Sequence, residues 1–374
     1  MRMRLRNLMR PRVACGDGKG MQSIQNGLLR RSRLRLSVCF SVLAGIAFGF
    51  AAQGNAASVD ALPKAAPSSV AIDVSSEFIE YLGRFSSGRK MYGQLEWLGG
   101  LLLSSDEPTF GGFSGLAFVD PDHFLAISDR GSVLSARLVR EGGRLTALAD
   151  TSMRPLPGIG LELPRWRRDA EGLALKDDEA FVSFEGETRV MRYRLKGNEL
   201  TRLEGPLPLS QEIDAANQAN RGLEAIATIP DGAPYAGGFV ILSEKPRNGR
   251  ILGWIIGSGP IKTFSLPQSG ELLAADADFT AQGDLIILER NFSILSGLVV
   301  QMRRVRAEDF RAGSIAHTDL LFRANLGDGM DNMEALDIQP MGDEGDSLVS
   351  LMSDDNFSFI QSTLLLQFRL PGKQ

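Results

Sequence analysis

RRDAEGLALKDDEAFVSFEGE, residues 167–187, reads as two short strands joined by a polar turn. Glu171 to Leu175 forms the first strand, Lys176 to Glu179 the turn and Ala180 to Phe184 the second strand, which ends on Glu185. Strand side chains alternate between faces, so one acid opens the inner strand and a second closes its partner beside it. The same unit recurs four times. FSGLAFVDPDHFLAISDRG (113–131) places Ser114 in the first polar slot and Asp129 in the second. The segments 221–232 and 237–246 place Glu224 and Glu244; AADADFTAQGDLIILERN (274–291) places Asp276 and Glu289; the segments 332–340 and 346–356 place Glu334 and Asp354. The first slot steps through 114, 171, 224, 276 and 334, intervals of 57, 53, 52 and 58. A nearly fixed period of this size, with several strands in each unit, predicts an all-β fold of the β-propeller type.

Each repeat continues into outer strands. Val133 to Val139, Arg189 to Leu195, Ile251 to Ile256, Leu298 to Val305 and Thr363 to Leu370 take the third position. A fourth strand is legible at Leu145 to Leu148, Thr201 to Leu203 and Ile261 to Phe264. Five repeats are clear. Two N-terminal strands, Phe78 to Phe85 and Leu95 to Leu103, either form a sixth blade or finish the fifth; six is the expectation. Strands drawn from both chain ends into one ring would also remove exposed edges.

The first 56 residues read as a secretory signal peptide. Arg30, Arg31, Arg33 and Arg35 precede an uncharged apolar run from Leu36 to Ala52, and Gly54-Asn55-Ala56 offers small residues for cleavage near Ala56. Residues 57–77 read as a flexible Ala-, Pro- and Ser-rich leader, and 78–374 as a single propeller domain. A periplasmic or secreted location follows, with no stable membrane association after cleavage. Both cysteines, Cys15 and Cys39, fall in the removed segment, which excludes disulfides and thiol chemistry from the mature chain. Removal leaves 31 basic and 44 acidic residues, a net charge of −13. That balance argues against nucleic acid or an anionic membrane as partner and favours a bound cation. A monomer acting on a small molecule is expected.

The inner strand of each propeller blade lines the central channel. Ser114, Glu171, Glu224, Asp276 and Glu334 in the first slots, with Asp129, Glu185, Glu244, Glu289 and Asp354 in the second, should therefore converge on one axis. Nine of these ten positions are carboxylates. So many acids cannot stay charged in a dry centre without cations. Arg130, Lys245 and Arg290 each directly follow a second-slot acid, and Arg168 and Arg221 stand three residues before a first-slot acid. The acids form either a register-fixing ring of ion pairs or a site for calcium, which takes six to eight hard oxygen ligands. Asn220, Asn332 and Asn356 add neutral oxygens. Asp328 to Glu334 is a second candidate calcium loop; it lacks EF-hand spacing and reads as a solvated turn. There is no G-x-S-x-G elbow, and His123 and His317 sit in polar linkers, which leaves no Ser-His-Asp triad.

GGFSGLAF (111–118), SDRG (128–131), DAEGLAL (169–175), RGLEAIA (221–227), LSEKP (242–246), ERNF (289–292) and NMEALDI (332–338) together resemble the phytase-like family, also described as "esterase-like activity of phytase". The resemblance runs from about Leu95 to Leu370 and implies an exported bacterial β-propeller that hydrolyses phosphate or carboxylate esters. It implies calcium held by Glu171, Glu224, Asp276 and Glu334, and an anionic substrate held by Arg130, Lys245 or Arg290. A bound cation neutralises phosphate and activates water, and Glu185 or Glu244 would serve as general base. Two other readings stay open: a lactonase-like calcium propeller, and a non-enzymatic binding module whose acid ring is structural.

Overall fold

The computed structural model describes residues 68–83, 88–160, 162–211, 213, 222–293, 297–311, 313–342 and 345–372. The expected signal peptide, most of the leader, Asn220 and Arg221 lie outside the described residues. No helix among the described residues is long and apolar enough to cross a membrane.

Four strands precede the first repeat: β1 (Val70–Ala71), β2 (Ser75–Ile79), β3 (Met91–Tyr92) and β4 (Leu95–Ser104). The repeats then supply β5 (Phe113–Phe118), β6 (His123–Ser128), β7 (Ser132–Glu141) and β8 (Arg144–Pro155) as blade one. Blade two is β9 (Ala170–Lys176), β10 (Glu179–Phe184), β11 (Arg189–Lys196) and β12 (Glu199–Pro206). Blade three is β13 (Leu223–Thr228), β14 (Phe239–Ser243), β15 (Arg250–Ile256) and β16 (Lys262–Pro267). Blade four is β17 (Leu273–Phe279), β18 (Leu285–Ser293), β19 (Gly297–Val305) and β20 (Asp319–Asn325). Blade five contributes β21 (Met333–Met341), β22 (Asp346–Ser353) and β23 (Thr363–Leu370). Each blade is an antiparallel meander, as hairpin connections require.

The expectation of six blades is corrected to five. The N-terminal strands do not make a sheet of their own. β4 pairs antiparallel with β23, Thr363 opposite Leu103 and Arg369 opposite Glu96, and becomes the fourth strand of blade five. β2 and β3 pair with β4 beyond it. β1, expected within a flexible leader, instead adds to the open edge of β8, with Val70 opposite Met153. The N-terminal strands thus complete the one sheet the repeats leave short, the fifth, and extend the first by a strand.

The inner strands β5, β9, β13, β17 and β21 each neighbour the next, and β21 returns to β5. Five hydrophobic cores fill the gaps, one between each adjacent pair of blades. Five sheets with five filled interfaces make a closed ring. The core between blades five and one, with Leu101, Phe113, Phe124, Leu134 and Met352, closes it.

Burial explains the sequence pattern. Inner strands are covered on both faces, so β5, β9 and β13 are buried almost throughout. Third strands alternate buried and half-buried residues, as in β7 and β11, where arginines take the open face. Tight turns return the chain: in the β7–β8 hairpin Gly142 and Gly143 have φ of 58° and 85°, as a two-residue turn of primed type demands.

Inner strands of neighbouring blades are not joined as sheets, so side chains bridge their backbones. Thr228 Oγ1 donates to Leu175 O at 2.9 Å. Asp276 Oδ2 accepts from Leu336 N at 2.7 Å, Asp278 Oδ2 from Ile338 N at 2.7 Å, and Asp337 Oδ1 from Phe118 N at 3.0 Å. These aspartates link blades four, five and one around the channel.

Candidate functional site

All five innermost hairpins carry a β-bulge near the start of the inner strand. The residues left without a cross-strand partner include Ser114, Glu171, Glu224, Ala275 and Glu334. A bulge re-aims a side chain out of the pleat, and here it turns four polar groups toward the axis. Blade four departs from the expected pattern. Its bulge residue is Ala275, and Asp276 falls one position later, where the other blades have Gly115, Gly172, Ala225 and Ala335. Asp276 is therefore not brought together with the other acids. It is buried between blades, engaged by Ala277 N at 2.8 Å and Leu336 N.

A cavity of about 220 Å³ opens on the axis, lined by Ser114, Asp129, Arg165, Asp169, Glu171, Glu185, Glu224, Glu244, Arg290, Glu334, Asp354 and Asn356. Eight of these are carboxylates and two are arginines, and none is apolar. Of the expected site residues, Glu171, Glu185, Glu224, Glu244, Glu334 and Arg290 meet here. Lys245 is off the lining but lies 3.3 Å from Glu244 Oε2. Arg130 is off the lining too: its guanidinium carbon lies 3.1 Å from the ring centre of Phe357, beside the lining residue Asn356, and its charge acts on Asp129. Glu289 is also elsewhere, wholly buried and paired with Arg303 and Gln301.

Glu334 is the most fully satisfied acid. It accepts from Asn332 Nδ2 at 2.7 Å and Ser114 Oγ at 3.3 Å, and Arg290 Nη2 lies 2.5 Å away. Asp129 takes Arg165 Nη2 at 2.6 Å, and Gly112 permits that placement, because a Cβ there would lie 2.4 Å from Asp129 Oδ1. Gly222 has the same role on the other side. Its backbone hydrogen-bonds the Glu185 carboxylate, and a Cβ would lie 2.1 Å from Glu185 Cγ.

The remaining acids crowd one another. Burial first, then Glu224 and Glu334, pushes the Glu171 carboxyl well above its usual range. Burial, then Glu244 and Glu185, does the same to Glu224. Burial and Glu185 raise Asp169 to about 7, and Asp169 and Glu185 share a hydrogen bond. Burial and Glu334 raise Asp354 to about 8. Burial disfavours the charge of Arg290, but Glu334, Glu224 and Glu244 outweigh it and raise its pKa. Two arginines do not neutralise this group of acids.

Two sets of oxygens lie close enough to hold a metal ion: Asp169, Glu171 and Glu185, and Glu185, Glu224 and Glu244, with the ligand atoms of each set within 4.8 Å of one another. Glu185 belongs to both. The donors are all hard carboxylate oxygens. Glu244 Oε2 is buried without a hydrogen-bond donor, although Lys245 Nζ is at ion-pair distance. Both observations fit a hard divalent cation. The acidic loop at 328–334 is a different case. Asp328 caps a short 3₁₀ turn through Asn325 N, and Asp331 accepts from Asn332 N and Ser362 N, so its oxygens are spent locally.

Two lining residues were missed in the sequence. Asp169 precedes Glu171 by two positions, and same-face spacing could have found it. Arg165 sits in a 3₁₀ turn, Arg165–Arg167, whose direction no strand pattern reveals. His123 pairs with Asp120 away from the cavity.

Fold and site together define a five-bladed β-propeller with an acidic cavity on its axis, its carboxylates spaced closely enough to hold a cation. The chain belongs to the phytase-like family: the family model described as "Phytase-like: Esterase-like activity of phytase" matches residues 108–357, all five acid-bearing hairpins included. None of the curated proteins compared with it matches. Among solved structures it is similar to the WD40 β-propeller domain of Doa1, at 12% identity and a TM-score of 0.38, over 73% of this chain and 96% of that one.

Proposed function

We propose that this protein hydrolyses a phosphate or carboxylate ester at the axial cavity with the help of a divalent cation, calcium being the best fit. The observation that carries the proposal is the pair of carboxylate sets sharing Glu185 beside two arginines that the same cavity presents. Glu171, Glu185, Glu224 and Glu244 would hold the ion, with Asp169 beside them. The ion would supply charge neutralisation and Lewis-acid polarisation of the ester. Arg290 and Arg165 border the same space and would orient an anionic or developing oxyanion through their N–H groups. Asp354, raised to about 8, would deliver its proton to the leaving oxygen as water attacks the ester, and the proton lost by that water would restore it. Asp276, expected to bind metal, is spent on backbone N–H groups, and Arg130, expected to bind substrate, stays beside Asp129 at the edge of this arrangement. Glu185 and Glu244, expected as bases, are reassigned to the ion.

The arginine-rich, apolar segment before Ala56 supports export to the periplasm or beyond, with the propeller acting as a monomer on a small molecule. The test is turnover of p-nitrophenyl phosphate and p-nitrophenyl acetate by residues 57–374, with calcium and with chelator, against Glu185→Gln and Glu224→Gln. Calcium-dependent release that both variants abolish is the expected result. No turnover, with a calcium-raised melting temperature, would replace the hydrolase by a binding module.

A further inference from the structure

The acids begin inner strands and end second strands, so the loops leaving those strand ends surround the cavity mouth. These loops carry a separate feature. Among the described residues, the three most exposed large apolar side chains are Phe359 at 101%, Ile360 at 77% and Phe292 at 67%. All three lie on this side of the ring, joined by Trp166 at 52%. Each is a near neighbour in sequence of a cavity-lining residue. Trp166 follows Arg165, Phe292 is two residues past Arg290, and Phe359 and Ile360 lie between Asn356 and β23. Elsewhere the exposed large apolar side chains sit on outer strands and the turns beside them, Leu320 at 52%, Met91 at 47% and Tyr81 at 44% among them, none next to a cavity-lining residue.

Exposed apolar side chains grouped around a site mark a surface that binds something. The cavity narrows what that is. At about 220 Å³ it is smaller than the 300–1,000 Å³ common for whole small-molecule sites. Its lining is entirely polar. A ligand can place a head group there, and the rest must lie across the mouth. The density of carboxylates opposes an anionic membrane surface.

We propose that the ligand is a small amphiphile, an ester whose head group enters the acidic cavity while an alkyl or acyl chain lies across Trp166, Phe292, Phe359 and Ile360. The head-group half of this inference rests on the hydrolase reading; the chain-binding half rests on the rim alone. Each methylene covered by the rim should lower KM or Kd roughly two- to fourfold until the rim is used up.

The experiment compares p-nitrophenyl acetate, butyrate, hexanoate and octanoate, all below their aggregation limits, on the calcium-loaded protein. KM should fall progressively with chain length, and the double variant Phe359→Ser/Ile360→Ser and the single variant Trp166→Ser should flatten that dependence. All three positions are exposed, so unchanged melting temperatures are the control for folding. Turnover with a KM independent of chain length overturns this proposal and leaves the hydrolase standing. If no ester turns over, calorimetry with methyl phosphate and octyl phosphate in calcium decides. Tighter octyl binding, weakened by the rim variants, supports the amphiphile site without the hydrolase; equal binding overturns it. Sedimentation with phosphatidylcholine vesicles, but no preference among dissolved chains, would assign the rim to a membrane and overturn it also.

Discussion

Nη2 of Arg290 lies 2.5 Å from Oε1 of Glu334, inside a cavity where carboxylates outnumber arginines eight to two. Glu334 is buried; the same Oε1 also accepts from Asn332, and Oε2 accepts from Ser114. Removing one partner of such a pair strands the other charge, at a cost of about 3–5 kcal/mol. Arg290→Ala should therefore lower unfolding free energy by about that amount in a urea titration. The double variant Arg290→Ala/Glu334→Gln should recover much of the loss. A change below about 1 kcal/mol would mean the pair behaves as a solvated surface contact.

Calcium should raise the melting temperature of the purified chain and a chelator should lower it. At a hundredfold excess over Kd the gain is about 2.7 kcal/mol. Glu185→Gln should reduce the effect more than Glu171→Gln or Glu244→Gln, because Glu185 alone belongs to both oxygen sets. Equal losses at all three positions would count against a shared ligand.

Asp276→Ala should destabilise the fold by about 2 kcal/mol or more, since two buried backbone N–H groups, on Ala277 and Leu336, lose their acceptor. Asp276→Asn keeps one acceptor oxygen and removes a charge that burial penalises, so it should cost far less. In both variants the calcium-induced shift should match wild type. A lost shift would return Asp276 to the metal site.

On the channel between blades four and five, burial pushes Asp337 to about 7 and, with Asp337 beside it, raises Asp278 well above the usual range. A carboxyl whose folded pKa is raised binds its proton more tightly when folded. Its contribution to stability is complete below the unfolded value near 4 and is lost as pH rises through the folded value. Chelated wild type should therefore lose stability between about pH 4 and pH 8. Asp337→Asn, which keeps the acceptor for Phe118 N, should flatten that slope in melts taken across the range.

The repeat was legible because each hairpin had to meet the same demand: two strands buried on both faces, ending in acids at the axis. Glu171, Glu224 and Glu334 could be placed from spacing alone. Asp276 could not, because a bulge moves by single residues, and one step carries a side chain to the other face. Ala275 takes the bulge position and packs in the core between blades four and five, while Asp276 spends its carboxylate on the backbone N–H of Ala277 and Leu336. The blade number was hidden for another reason. Pairing of Thr363 with Leu103 links opposite ends of the domain, and no local pattern records such a partnership. Arg165 was invisible because its 3₁₀ turn belongs to a connection rather than to the period.

The place of β4 between β23 and β2 sets an order on biogenesis. A ribosome delivers this strand before the first repeat and its partner after the other four blades, so the fifth sheet has no means of assembling until the whole set of repeats has been made. Until β23 emerges, Leu101 and Leu103 lack their covering layer and the newborn polypeptide offers greasy surface to chaperones. In the finished ring the β4–β23 ladder is the clasp: the fifth sheet comes apart only when that pairing breaks.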